Sequence, residues 1–411
     1  MVKRLNCAIN LRGVGDGGGA LYDSDAITHS WLKARNDNEF HPRSGDPMFD
    51  ILRLSHLTDE EGTKDNVTGE AIFGAILCLT PNLEIIRLSC PSWLAHTRRY
   101  VTGWYPELSE IINTFTTNPV ADQPRPLGKL HEAIFLRDED YAIDPYSDDF
   151  YRGGIWGTCF GICPALLRAP NLSSIRATQL GSAPWNMIPQ HLKHLTLPYP
   201  RAITSGDAVI LFSLSHLEEL KLYRIDGDYG GFPHDICLNS ELKKHAHRLT
   251  RLAITTFQDF RRLLEIGFGP SHRLDCLADF SVLLELEVDL FALVGSRLNM
   301  RDTQLEKTLP VSLKKLVLWE EWWADDEDHA ADGYDASERE YWDDMHDMFR
   351  RFAISCKARC TNLATVHLQN NDGSALDDDA YYDIKALFEE AGVEFDVDNL
   401  RTRHAWDDDD A

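Results

Sequence analysis

The stretch HLEELKLYRID, His216 to Asp226, alternates apolar and polar side chains across Leu220, Lys221, Leu222 and Tyr223. A period of two puts both leucines on one face of a short strand and Lys221 and Tyr223 on the other. Leu217, three residues earlier, turns in from the preceding loop to complete an apolar layer. The spacing L-x-x-L-x-L returns as NLEIIRLSC at Asn82, HLKHLTLPY at His191, SLKKLVLWE at Ser312 and NLATVHLQN at Asn362. One layer leaves its apolar face open to water, so the pattern predicts similar layers stacked in parallel against it.

Nine triplets align without gaps: Phe49/Leu52/Leu54, Leu83/Ile86/Leu88, Leu172/Ile175/Ala177, Leu192/Leu195/Leu197, Leu217/Leu220/Leu222, Leu249/Leu252/Ile254, Leu283/Leu286/Val288, Leu313/Leu316/Leu318 and Leu363/Val366/Leu368. Leu5/Ile9/Leu11 and Leu130/Ile134/Leu136 carry one extra residue inside the triplet. From Leu172 onward the first leucines fall 20, 25, 32, 34, 30 and 50 residues apart. That is the roughly 20–29-residue period of leucine-rich repeats, lengthened by insertions.

Parallel neighbours need crossovers, and helical patterns precede the triplets. In SEREYWDDMHDMFRRFAISCKARC, Ser337 and Glu340 form a capping-box pattern, and Tyr341, Met345, Met348, Phe349, Phe352 and Cys356 recur at helical steps. GEAIFGAILCLTP, SGDAVILFSLS and LNSELKKHAHR hold the same place before their own triplets. DDDAYYDIKALFEEAGVEFDVD predicts a helix, a stop at Gly392 and a last short strand. The expected architecture is an α/β right-handed leucine-rich repeat solenoid, with parallel strands on its concave face and helices on its convex face. It spans residues 1–399, carries an acidic and aromatic insert at 319–336, and is followed by an acidic tail at 400–411.

Composition narrows the function. A net charge of −25, from 66 acidic against 41 basic residues, argues against nucleic acid or an anionic membrane as partner. The start MVKRLNCAINLRGVGDG lacks the apolar core of a secretory signal. The longest nearly apolar run, AIFGAILCL from Ala71, is about half of a membrane span. The nine cysteines are odd in number and scattered, unlike a disulfide framework. These features point to an intracellular protein of a reducing compartment, cytoplasmic or nuclear.

With the irregular repeats, the TPNLEIIRL and APNLSSI openings, the helix before each and the long acidic inserts, the chain resembles fungal leucine-rich repeat proteins of the F-box-like family. The resemblance covers Phe49 to about Asp398. It implies a repeat domain that holds a protein target, joined to a cullin-type ubiquitin ligase through an adaptor bound by an N-terminal F-box. The first fifty residues contain no LPxEL-like opening and no three-helix pattern. Target capture therefore carries over more directly than ligation. A stand-alone scaffold or inhibitor is the alternative.

Signals for chemistry are thin. Gly13, Gly15 and Gly18 in GVGDGGG fit G-x-G-x-x-G, which would serve a dinucleotide-dependent oxidoreductase if a helix opened at the last glycine. ALYDSDAITHSW is a poor first turn, so a surface loop is the plainer reading, with no cofactor. Cys159/Cys163 and Cys356/Cys360 lack the second ligand pair a zinc site needs and read as buried structural thiols. His191/His194 and His245/His247 have no carboxylate or nucleophile at motif spacing. No catalytic residue and no metal ligand is expected.

Binding signals are richer. Each strand exposes one side chain between its inward leucines: Arg53, Arg87, Phe135, Arg176, Thr196, Lys221, Ala253, Glu287, Val317 and His367 in order. The early part of this column is basic and the later part turns acidic at Glu285, Glu287 and Asp289. Arg53, Arg87, Arg176, Lys221 and Tyr223 are the candidates for holding a protein or peptide, acidic or phosphorylated. Trp319, Trp322 and Trp323 in the insert are candidate interface anchors, because tryptophan is a favoured hot-spot residue.

Overall fold

The computed structural model describes residues 4–8, 82–90, 127–137, 166–177, 188–198, 211–226, 237–257, 273–295, 299–320, 334–370 and 378–399, with positions 77, 80 and 209. Arg53, the GVGDGGG loop, Cys159/Cys163, Trp322 and Trp323 lie outside these residues. The chain divides into two compact units, Met1–Pro189 and Gln190–Ala411.

The first unit holds strands β1 (Arg4–Ala8), β2 (Ile85–Cys90), β3 (Glu132–Arg137) and β4 (Ser174–Ala177). Each pairs in parallel with its neighbour in sequence. The second holds β5 (His194–Pro198), β6 (Glu219–Asp226), β7 (Arg251–Phe257), β8 (Glu285–Asp289), β9 (Lys315–Glu320), β10 (Thr365–Asn370) and β11 (Glu394–Asn399), again parallel at every step. Among the described residues, α-helices stand in four of the crossovers. α1 (Leu238–Lys243) precedes β7, and α2 (Leu290–Val294) and α3 (Leu305–Thr308) precede β9. α4 (Tyr334–Arg359) precedes β10, and α5 (Asp378–Glu390) precedes β11. This α/β arrangement of sequential parallel strands is compatible with the expected solenoid.

One backbone device repeats through both units. The N–H of the first leucine of a layer closes a tight turn onto the carbonyl three residues back, at Leu83, Leu130, Leu172, Leu217, Leu313 and Leu363. The carbonyl just after that leucine then accepts two N–H groups from the next layer: Glu84 from His131 and Glu132, His131 from Ser173 and Ser174, and Lys193 from Glu218 and Glu219. Thr250, Leu284 and Lys314 accept in the same way. These bonds satisfy backbone groups that would otherwise be lost at a buried corner. The residue before the leucine adds a side-chain donor. Asn171 reaches the Gly128 carbonyl at 2.6 Å, Asn362 reaches that of Val311 at 3.3 Å, and Arg248 reaches that of Ser215. An asparagine before the leucine thus bonds one layer to the last.

The leucine positions are the core. Leu83, Leu130, Leu172, Leu192, Leu195, Leu220, Leu222, Leu283, Leu313, Leu316 and Leu363 are all fully buried. Each contributes about 1.5–3 kcal/mol on burial, an upper value because unfolded chains already bury some apolar surface. At the C-terminal end the core becomes aromatic. Phe395 of β11 stacks on Phe388 of α5 at 4.9 Å and meets Phe349 of α4 at 6.2 Å, while Phe352 lies edge-on to Phe388. α5 stops at Gly392, whose φ of 69° suits a residue without a side chain.

Three expectations need correction. α4 begins at Tyr334, one turn before the capping pattern at Ser337, because nothing between Gly333 and Ser337 breaks a helix. The insert is shorter than 319–336, since Trp319 and Glu320 belong to β9 and its last residues belong to α4. The two triplets with an extra residue were aligned one step out of phase. In β3, Ala133 pairs with Ile86 and is fully buried, and Ile134 pairs with Arg87 and Arg176 on the opposite face. Phe135 therefore stands at an inward register position, not an outward one. In β1, Leu5 and Cys7 stand in register with Ile86 and Leu88, and Ile9 and Leu11 lie outside the described residues. Small Ala133 fills a leucine position, which a pattern of large aliphatics does not reveal.

Candidate protein-binding face

Strand parity and register place the outward side chains in rows. In the first unit the central row runs Arg87, Ile134 and Arg176. Arg87 is half-buried and Arg176 exposed. Ile134 separates them, so they stand two strand spacings, roughly 10 Å, apart. That is near one Debye length, and an apolar side chain occupies the middle.

In the second unit two rows cross β5 to β11. The first runs His194, Glu219, Arg251, Glu285, Lys315, Thr365 and Glu394. It neutralises itself. Glu219 holds Lys221 at 3.0 Å and Arg251 at 3.2 Å, and Arg251 also reaches Glu285 at 3.3 Å. Burial pushes the Glu219 carboxyl up, but hydrogen bonds and charge from Lys221 and Arg251 outweigh it and leave the group below its ordinary value. The same partners, Glu219 and Glu285, raise the pKa of Arg251. Lys221 is thus already neutralised by Glu219 beside it.

The second row runs Thr196, Lys221, Ala253, Glu287, Val317, His367 and Asp396. Ala253 and Val317 were expected on an open face, yet they are only 1% and 7% exposed. Thr255, two residues beyond Ala253, is also buried. This part of the face is covered.

Between Ala253 and Val317 stands Glu287, and here two of the candidate binding residues meet. The Tyr223 hydroxyl donates to Oε2 of Glu287 and the Trp319 indole Nε1–H donates to Oε1, each at 2.9 Å. The β6–β7 register slips by one residue between Leu222 and Ile225, a bulge that contains Tyr223. Bulges re-aim side chains, and this one lets Tyr223 reach across β7 to β8. The small side chain of Ala253 leaves room for that crossing. Trp319 reaches the same carboxylate from β9.

From the sequence, Tyr223 belongs to the groove, Trp319 to the insert and Glu287 to an acidic stretch. The alternation through Leu316, Val317, Leu318 and Trp319 carries the signal for Trp319, because it continues the outward parity of β9 by one step. No sequence pattern signals the bulge.

Cys356 and Cys360 are buried, and burial pushes the Cys360 thiol up to about 11. His194 and His191 stand at the start of β5, on its outward row and in its opening turn, respectively. His245 is buried, with Nε2 3.1 Å from the Phe212 carbonyl. Among the described residues no group of three or more His, Cys, Asp or Glu side chains stands where it could hold a metal ion. No described helix is long and apolar enough to cross a membrane.

No family model, curated protein or solved structure matches this chain. What the face does therefore rests on its own chemistry.

Proposed function

We propose that the chain is a non-catalytic protein-binding module. In this reading it is a leucine-rich repeat solenoid with right-handed crossovers, strands concave and helices convex, that takes a protein or peptide on its outward strand face. One contrast carries the reading. The inward leucines and their turn bonds repeat from layer to layer, whereas the outward side chains change from each described strand to the next. A scaffold whose inside is constant and whose outside is individual suits recognition. An acidic or phosphorylated target would meet Arg87 and Arg176 in the first unit, and Trp319 would be an anchor in the second. The resemblance to F-box-like proteins adds target capture for a cullin-type ligase, and a scaffold or inhibitor without a ligase is the other outcome.

Purification of the tagged protein from its native cells, with identification of co-purifying proteins by mass spectrometry, tests this. Saturable partners that recur across replicates are expected. Recovery of the cullin adaptor supports ligation, and recurrent partners without the adaptor leave a binding module alone. Absence of any recurrent partner overturns the proposal.

A further inference from the structure

We infer that Glu287, with Tyr223 and Trp319, forms a subsite for a cationic side chain of a protein partner, arginine before lysine. The inference rests on the reading of this strand face as protein-binding and names the chemistry of part of its target.

The reason is an imbalance of charge. On β6 to β8 the local cations are already engaged by other acids. Lys221 is held by Glu219, and Arg251 is shared between Glu219 and Glu285. Among the described residues no lysine, arginine or histidine lies within ion-pair distance of Glu287. Its carboxylate is held instead by two neutral donors, one on each oxygen. Those bonds fix its orientation without cancelling its charge.

The surroundings sharpen the imbalance. Its row neighbours Ala253 and Val317 are apolar and buried, so the charge sits on a low-dielectric floor. A charge there interacts more strongly with an opposite charge than it would in open water. Glu287 itself stays partly exposed, so an incoming group can reach it.

Geometry favours guanidinium. A carboxylate offers about four lone-pair positions, and one on each oxygen is used. One on each oxygen remains, which matches the paired N–H groups of arginine. Because Tyr223 and Trp319 hold the acceptor in place, binding costs less ordering than an ordinary surface pair. In such pairs two flexible side chains must be fixed for a net gain near zero.

Nuclear magnetic resonance provides the test, read at the Trp319 indole N–H, which is assigned with Trp319→Phe. The probes are a blocked Gly-Arg-Gly-Arg-Gly peptide and its lysine and glutamate counterparts. The arginine peptide should shift the Trp319 signal saturably, the lysine peptide more weakly, and the glutamate peptide not at all. Glu287→Gln should weaken arginine-peptide binding about five-fold or more, the loss of one preorganised ion pair. Glu389→Gln, which removes the same charge from an exposed site on α5, should change it by less than about two-fold. Tyr223→Phe keeps the carboxylate and loosens it, so an intermediate loss is expected, and melting curves establish that each variant is folded.

Equal losses in Glu287→Gln and Glu389→Gln would reduce the effect to general attraction by an acidic chain and overturn the subsite. So would a Trp319 signal that does not saturate. Native-cell purification with wild-type and Glu287→Gln baits separates the two claims. Unchanged partners on both sink the subsite and leave the binding module standing, whereas no partner on either sinks the module itself.

Discussion

Two rows of the same strands handle acidic residues in opposite ways. In the first row, Glu219, Arg251 and Glu285 alternate in sign across β6, β7 and β8 and satisfy one another. One step along the same strands, Lys221, Ala253 and Glu287 do not alternate, and Glu287 rests on a phenol and an indole. The outward residue on β7 makes the difference. Arg251 can bridge its neighbours, whereas Ala253 is too short to bridge and small enough to be crossed by Tyr223. A cross-strand charge ladder closes an edge of the face against partners of either sign. A carboxylate held by neutral donors leaves its charge to be answered from outside.

Both rows depend on one inward residue. Leu286 lies between Glu285 and Glu287 on β8 and is buried. Leu286→Ala should cost about 2–5 kcal/mol, from lost burial and the cavity left behind. Thermal unfolding followed by circular dichroism measures this. If a second-unit layer of this kind cooperates with its neighbours, Tm falls as one transition and both rows fail together. A loss below about 1 kcal/mol would mean that the layer is not packed as described.

The contrast between constant inside and individual outside also marks what was legible in the sequence. Period two and the first leucine sufficed for β4 to β10, because aliphatics repeat there and bury the same way, with Ala177 of β4 a small residue that keeps the phase. The same rule failed at β3, where Ala133 fills the inward position and the larger Ile134 draws the alignment off by one. Outward residues could be enumerated but not read. Nothing in the local sequence marks Ala253 as covered, and Tyr223 is aimed by a one-residue bulge with no composition of its own. Lys221 looked basic in isolation and is neutralised by a glutamate two positions before it. Charge on a strand face is decided by neighbours in register, and register follows from the whole stack.

His245 is a second titratable group held by a neutral partner, so it sharpens the comparison in the core. Burial lowers its pKa, overcoming the opposite pull of its hydrogen bond to Phe212; Lys244 and His247 lower it further, and Glu241 opposes them. The folded state therefore binds a proton less readily than the unfolded chain, whose histidines titrate near about 6.5. Stability is lost as pH falls through that value toward the lower folded pKa. The slope from this group is at most about 1.4 kcal/mol per pH unit, one proton's worth. Melting temperatures of wild type and His245→Gln between pH 7.5 and 5.5 should converge, with the wild type falling faster on the acid side. Parallel curves would mean that His245 is protonated alike in both states.

The smallest effect belongs to the ladder. Glu219 has a folded pKa below its ordinary value, so its contribution is present above the unfolded value of about 4.3 and is lost as pH falls through the folded one. Its partners Arg251 and Lys221 are 49% and 26% exposed, and each pair contributes about 0.2–1 kcal/mol. Glu219→Gln should therefore lower stability slightly at pH 7 and not at all once the wild-type carboxyl is protonated, near pH 3. High salt should shrink the difference at pH 7, because exposed pairs are screened within a few ångströms at about 1 M. The decisive sharpening is in binding. If the first row is closed as described, Glu219→Gln releases Lys221 and Arg251 without touching Tyr223 or Trp319, and an arginine peptide should bind Glu287 no more tightly than before. Tighter binding would mean that Glu219 competes with Glu287 for the same cation. The two rows would then be a single site.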